Sequence, residues 1–95
     1  MSFTCDDTYV YLDYAATAPL TEEVAAAMAP YQVGGRENIL VNANANSLHT
    51  PGRKAFAALE AARKTVATAL GATRPTELIF TSGATEADDT AIIGL

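Results

Sequence analysis

The residue types best suited to chemistry lie together at Thr81-Ser82-Gly83-Ala84-Thr85. The apolar run Leu78-Ile79-Phe80 before them reads as a short buried strand, and the residues from Ala84 or Thr85 onward are helical in composition. A strand that feeds a tight glycine turn and then a helix leaves the first backbone N–H groups of that helix without partners, at an end carrying roughly half a positive charge. Hydroxyls at Ser82 and Thr85 can add donors, so the corner is suited to an anion, most naturally a phosphate. Many strand–turn–helix corners bind nothing, and the residues alone leave both readings open.

The other candidates are sparser. His49, the single histidine, follows Asn44, Asn46 and Ser47 in a polar stretch, where it could stack on a planar ligand, move a proton, or simply precede a helix. No second histidine or cysteine lies near it, so a metal site is not expected. Cys5 is followed by Asp6 and Asp7, whose charge disfavours a thiolate. Lys54 and Lys64 each follow an arginine on a solvated helix face, a poor setting for a nucleophilic amine. The chain offers a phosphate corner, a polar loop and no convincing nucleophile.

The elements that must position these residues follow from capping and periodicity. Tyr9 to Leu12 are strand formers ahead of Asp13 and Tyr14, and Ala15-Ala16-Thr17-Ala18-Pro19 is a small-residue run that permits close approach. Thr21 caps a helix to about Tyr31 with Glu22 and Glu23 in its first turn; Gly34-Gly35 ends the element. A loop of about sixteen residues then leads to Thr50-Pro51, which opens the clearest helix, stopped by Gly71. Phe56, Leu59, Val66 and Leu70 should form its buried face, with Glu60 paired to Lys64. Arg74-Pro75-Thr76-Glu77 makes a turn into the Leu78–Phe80 run. The last helix carries Ala87, Ala91, Ile92 and Leu95 as a possible packed stripe. This order is that of an α/β fold.

Composition narrows the class. The 95 residues hold six basic and eleven acidic side chains, a net charge of −5, which provides no basic stripe for nucleic acid. One cysteine excludes an internal disulfide and fits a reducing compartment. No membrane-spanning run or signal peptide is visible, so a cytoplasmic protein is expected. At this length the chain could bury roughly 60–65% of its unfolded surface. It finishes in apolar sequence, Ala91-Ile92-Ile93-Gly94-Leu95, and reads as the front piece of a longer polypeptide.

Four blocks taken together go further. Val10-Tyr11-Leu12-Asp13-Tyr14-Ala15-Ala16-Thr17-Ala18-Pro19 resembles the N-terminal signature of the cysteine desulfurases, pyridoxal-phosphate enzymes of the class V aminotransferase group. Asn44-Ala45-Asn46-Ser47-Leu48-His49 with Gly52-Arg53, then Ala58-Leu59-Glu60-Ala61-Ala62-Arg63, resemble the blocks that follow. Ile79 to Asp88 is similar, almost without change, to the family's phosphate-loop block. The resemblance covers about residues 9 to 95, in family order and spacing. Ala18, Ala43, Ala45-Asn46 and Asp89 depart from the pattern, which leaves desulfurases, selenocysteine lyases and related aminotransferases as alternatives.

The resemblance implies a fold type I pyridoxal-phosphate transferase. Residues 1–49 would be its N-terminal arm, first helix and active-site loop, and 50–95 the start of its large cofactor-binding domain. Gly83, Ala84 and Thr85 would hold the cofactor phosphate; Thr17, Asn44 and His49 would line the active site. The implied activity converts L-cysteine to L-alanine with persulfide transfer to an acceptor protein, within sulfur metabolism and iron–sulfur cluster assembly, by a homodimer. The family's cofactor-bearing lysine and sulfur-accepting cysteine match no position here, so the 95 residues are expected to be inert alone. A non-enzymatic anion-binding module is the alternative of a different class.

Overall fold

The computed structural model describes residues 8–32 and 42–94. Within them the chain forms three α-helices and one 3-10 turn: α1 (Glu22–Gln32), α2 (Thr50–Ala69), the turn Pro75–Glu77, and α3 (Ala84–Ile93). The residues before Thr8, the expected stop at Gly34-Gly35, Cys5 and Leu95 lie outside the described residues.

Each helix starts where its capping chemistry dictates. The Val24 N–H donates to the Thr21 hydroxyl at 3.3 Å, capping α1. Pro30 lies inside α1 without stopping it, because the backbone bond it forfeits falls close to the helix end. For α2, Pro51 occupies the first turn, where its missing N–H costs nothing, and an alanine-rich sequence carries the helix for 20 residues. It ends in a Schellman arrangement: Gly71 N–H donates to the Thr68 carbonyl at 3.1 Å and Ala72 N–H to that of Ala67 at 2.9 Å. Gly71 sits at φ 78°, a left-handed conformation that favours glycine. The Glu77 carboxylate reaches back to the N–H groups of Thr73 and Arg74 at 2.9 and 3.2 Å, closing the 3-10 turn.

Two expectations are corrected. No strand occurs among the described residues. Leu78 has extended angles, φ −92° and ψ 125°, yet Leu78–Phe80 has no neighbouring strand there, and a strand exists only through its ladder. The α/β order is therefore represented by its helices alone. The apolar stripe of α2 is also uncovered: Phe56 is 51% and Leu70 72% exposed, and among the described residues only Ala55 and Ala67 are buried hydrophobics. The α3 positions Ala87, Ala91 and Ile92 are exposed as well. The buried α2 positions are Gly52, Ala55 and Ala67 instead, and nothing among the described residues packs on the expected apolar faces. The packing that does occur sets α2 against the 3-10 turn.

One close approach organises the start of α2. Gly52 is buried, and a Cβ there would lie 2.3 Å from the Ser47 carbonyl oxygen and 2.8 Å from that of Asn44. The Asn44–Ser47 turn is seated directly on the first turn of the helix, which only glycine permits.

Candidate functional site

The corner at Thr81–Thr85 is built by the extended run entering it and α3 leaving it. Gly83 is the N-cap of α3, and the first N–H to find a carbonyl beyond the turn is that of Ala87, bonded to Gly83 O at 3.1 Å. Helix geometry leaves the N–H groups of Ala84, Thr85 and Glu86 without intrahelical acceptors. The Thr81 hydroxyl donates to the Gly83 carbonyl at 2.9 Å, bracing the turn. Gly83 has extended backbone angles, and a Cβ there would meet nothing within 4 Å. Neither the backbone nor a described neighbour demands glycine, and the space beside Gly83 is open among the described residues.

Part of the expected donor set is already engaged. The Glu86 carboxylate accepts the Ser82 N–H at 3.0 Å and also the Ser82 hydroxyl. Its pKa is lowered from the ordinary 4.5, first by the Ser82 side-chain hydrogen bond and then by the backbone one. Ser82 therefore serves an internal anion, and the donors left for an external one are the amides at the start of α3 with the exposed Thr85 hydroxyl. That set suits a phosphate group, which takes several convergent donors at a helix N-terminus. The residues present fit the phosphate of pyridoxal phosphate.

The other candidates have local partners. His49 is the N-cap of α2, its Nδ1 accepting the Gly52 N–H at 3.1 Å. Nδ1 is thus committed to the cap as an acceptor, which leaves Nε2 as the ring nitrogen not used by it. The Asn44 side-chain oxygen accepts the Asn46 N–H at 2.8 Å, and the Asn44 carbonyl accepts that of Ser47 at 3.0 Å. Thr17 closes a second turn: its carbonyl lies 2.8 Å from the Tyr11 hydroxyl, which is also 2.9 Å from the Asp13 carbonyl. Tyr11 stacks obliquely on Tyr14, with ring centroids 5.4 Å apart. Tyr9, Tyr11, Thr17, Ala18 and Pro19 border an open hollow of about 330 Å³. Lys54 and Lys64 are exposed, and no group of residues able to hold a metal occurs among those described. No helix there is long and apolar enough to cross a membrane.

Sequence reasoning missed three contacts. Glu86 at the third helical position reaching back is a capping-box variant, a signal present in the spacing. Glu60 pairs with Arg63 at 3.1 Å rather than with Lys64, since Arg63 is also held from beyond the helix. The Gly52 approach needed the three-dimensional fold.

Residues 10–95 match the family model described as Aminotransferase class-V. Over 87 residues the chain is 46% identical to an IscS-like cysteine desulfurase of Mycobacterium tuberculosis, a match covering 90% of this chain and 20% of that protein. Cysteine desulfurase IscS of Dictyoglomus turgidum is 46% identical over 86 residues, with the same coverage. Cysteine desulfurase IscS of Methanosarcina thermophila is 43% identical over 86 residues, again covering 90% and 20%. The chain thus spans about a fifth of the length of these relatives. No solved structure matches. With the match running from Val10 through the phosphate corner, the chain belongs to the class V aminotransferase family.

Proposed function

We propose that this chain forms the phosphate-holding corner and part of the active-site lining of a pyridoxal-phosphate-dependent cysteine desulfurase. The observation that carries the reading is the set of partnerless amides at Ala84, Thr85 and Glu86 beneath an open Gly83 turn. Identities of 43–46% to proteins named as cysteine desulfurases support the reading.

In this role the α3 amides and the Thr85 hydroxyl donate to the phosphate oxygens, and the positive end of α3 favours their charge. Ser82 acts indirectly, holding Glu86 to one side of the turn. Thr17, Asn44 and His49 would belong to the substrate-facing surface, with L-cysteine as substrate, an acceptor protein for the sulfur and a second subunit as partners. Their backbone and cap contacts fix the turns from which they would act. When bound, the cofactor supplies an electron sink for bond breaking at an amino acid's α-carbon. Residues 1–49 would be arm, first helix and loop, and 50–95 the start of the large domain, in a cytoplasmic homodimer.

The first test is titration of the isotope-labelled chain with inorganic phosphate and with pyridoxal phosphate, followed by NMR. Both ligands should move the Gly83, Ala84 and Thr85 amides, and Thr85→Val should weaken the response. Perturbation elsewhere, or none, sinks the assignment. Given cysteine and pyridoxal phosphate, the chain should release no sulfide. Turnover, or a borohydride-fixed adduct on Lys54 or Lys64, would overturn the expectation that it is inert.

A further inference from the structure

We infer that Arg63 is a positioning residue for the phosphate-holding turn, acting through Leu78 and Phe80 rather than on any ligand. Its guanidinium is used on three sides. Nε donates to Glu60 Oε1 at 3.1 Å, which holds the group against its own helix. Nη1 donates to the Leu78 carbonyl at 2.6 Å, a short charge-assisted bond spanning 15 residues of chain. The Cζ at the centre of the group lies over the Phe80 ring, 4.8 Å from its centroid. By contrast, the bonds around Asn44, Glu77 and Glu86 close within four residues.

These contacts fall on the segment that delivers the turn. Leu78 and Phe80 precede Thr81 directly, and no strand among the described residues holds them. Arg63 fixes the carbonyl at one end of the run and the ring at the other, so the direction in which the chain enters Thr81–Thr85 is set from α2. Only arginine does this: its fork of N–H groups bonds two acceptors while its charge sits over the ring, whereas a lysine ammonium offers a single point charge. Its side chain is 21% exposed, which shields these contacts from much of the solvent. The consequence for phosphate rests on the function proposed above; the ordering of the turn does not.

The experiment compares the 95-residue chain with Arg63→Ala, Arg63→Lys and Phe80→Leu, all isotope-labelled. Amide hydrogen exchange at Ser82 and Ala87 reports order in the turn, since these N–H groups are bonded across it. Removing the arginine should speed their exchange by about tenfold while leaving α2 helical by circular dichroism. Arg63→Lys should stay close to the alanine variant, and Phe80→Leu should fall between it and the parent. Inorganic phosphate should shift the Gly83–Thr85 amides several-fold less effectively in Arg63→Ala. Unchanged exchange in Arg63→Ala, or full recovery by lysine, overturns the assignment and leaves Arg63 a surface charge. If Arg63→Ala loses α2, Phe80→Leu decides, and parental exchange in that variant overturns it. If phosphate moves no amide of the parent, the function reading fails while exchange still judges Arg63.

Discussion

Glu86 is an acid placed where a negative charge is favoured, at the start of α3, and it takes both donors of Ser82. Its lowered pKa fixes the sign of a pH effect. A carboxyl whose folded pKa lies below its unfolded one stabilises the fold fully above the unfolded value, and that contribution disappears as pH falls through the folded value. The turn should therefore hold above pH 4.5 and loosen below it. Carbon-detected NMR titration of the Glu86 carboxyl should show its pKa rising toward the ordinary value in Ser82→Ala, where the larger of the two causes is removed. The same pKa in parent and variant would show that Ser82 does not hold the carboxylate. Of this contact the sequence shows the two residue types and their spacing. It does not show which anion the serine serves, because an internal carboxylate and an external phosphate ask for the same donors.

At the scale of the element, α2 depends on its first turn. His49 caps it through Nδ1, and Gly52 allows the Asn44–Ser47 turn to rest against it. His49→Ala should cost about 1 kcal/mol of helix stability, and His49→Asn should restore most of it, as asparagine is a strong cap. Far-UV circular dichroism and protection of the Gly52 amide measure both, and an asparagine variant as poor as alanine would refute the cap. Helix boundaries were legible because their signals are local: Thr21, Pro51, Gly71 and Gly83 each sit at or next to a terminus that they specify. The run Leu78–Phe80 was legible as extended but not as unpaired, since pairing is a property of its neighbours. His49 was open to several readings for a related reason. A histidine before a helix looks the same whether it caps the helix or faces a substrate, and the observed bond uses one nitrogen and leaves the other available.

For the whole molecule, the exposed faces determine stability. A compact chain of this length has a radius of gyration of about 12–13 Å; the value here is 17.0 Å, with extents of 51 × 43 × 22 Å. Among the described residues Ala55 and Ala67 are the buried hydrophobics, while Ile92 and Ile93 are 76% and 80% exposed. Such burial is too little to drive one cooperative fold against the entropy of ordering the backbone, roughly 1–2 kcal/mol per residue. Order here is therefore local, carried by helix and turn hydrogen bonds. The core of the size expected from chain length is absent among the described residues, although the amphipathic faces that would make one are present. The chain spans about a fifth of its relatives' length, so in the proposed desulfurase those faces would pack against the rest of the enzyme. Urea titration followed by circular dichroism should give a broad, shallow loss of helicity, because the slope scales with the surface newly exposed on unfolding. A sharp transition with a slope of about 1 kcal/mol/M or more would require a core that Phe56, Leu59, Val66 and Leu70 do not form here. It would establish that the 95 residues fold independently, and would make a self-standing anion-binding module the better account of the phosphate corner.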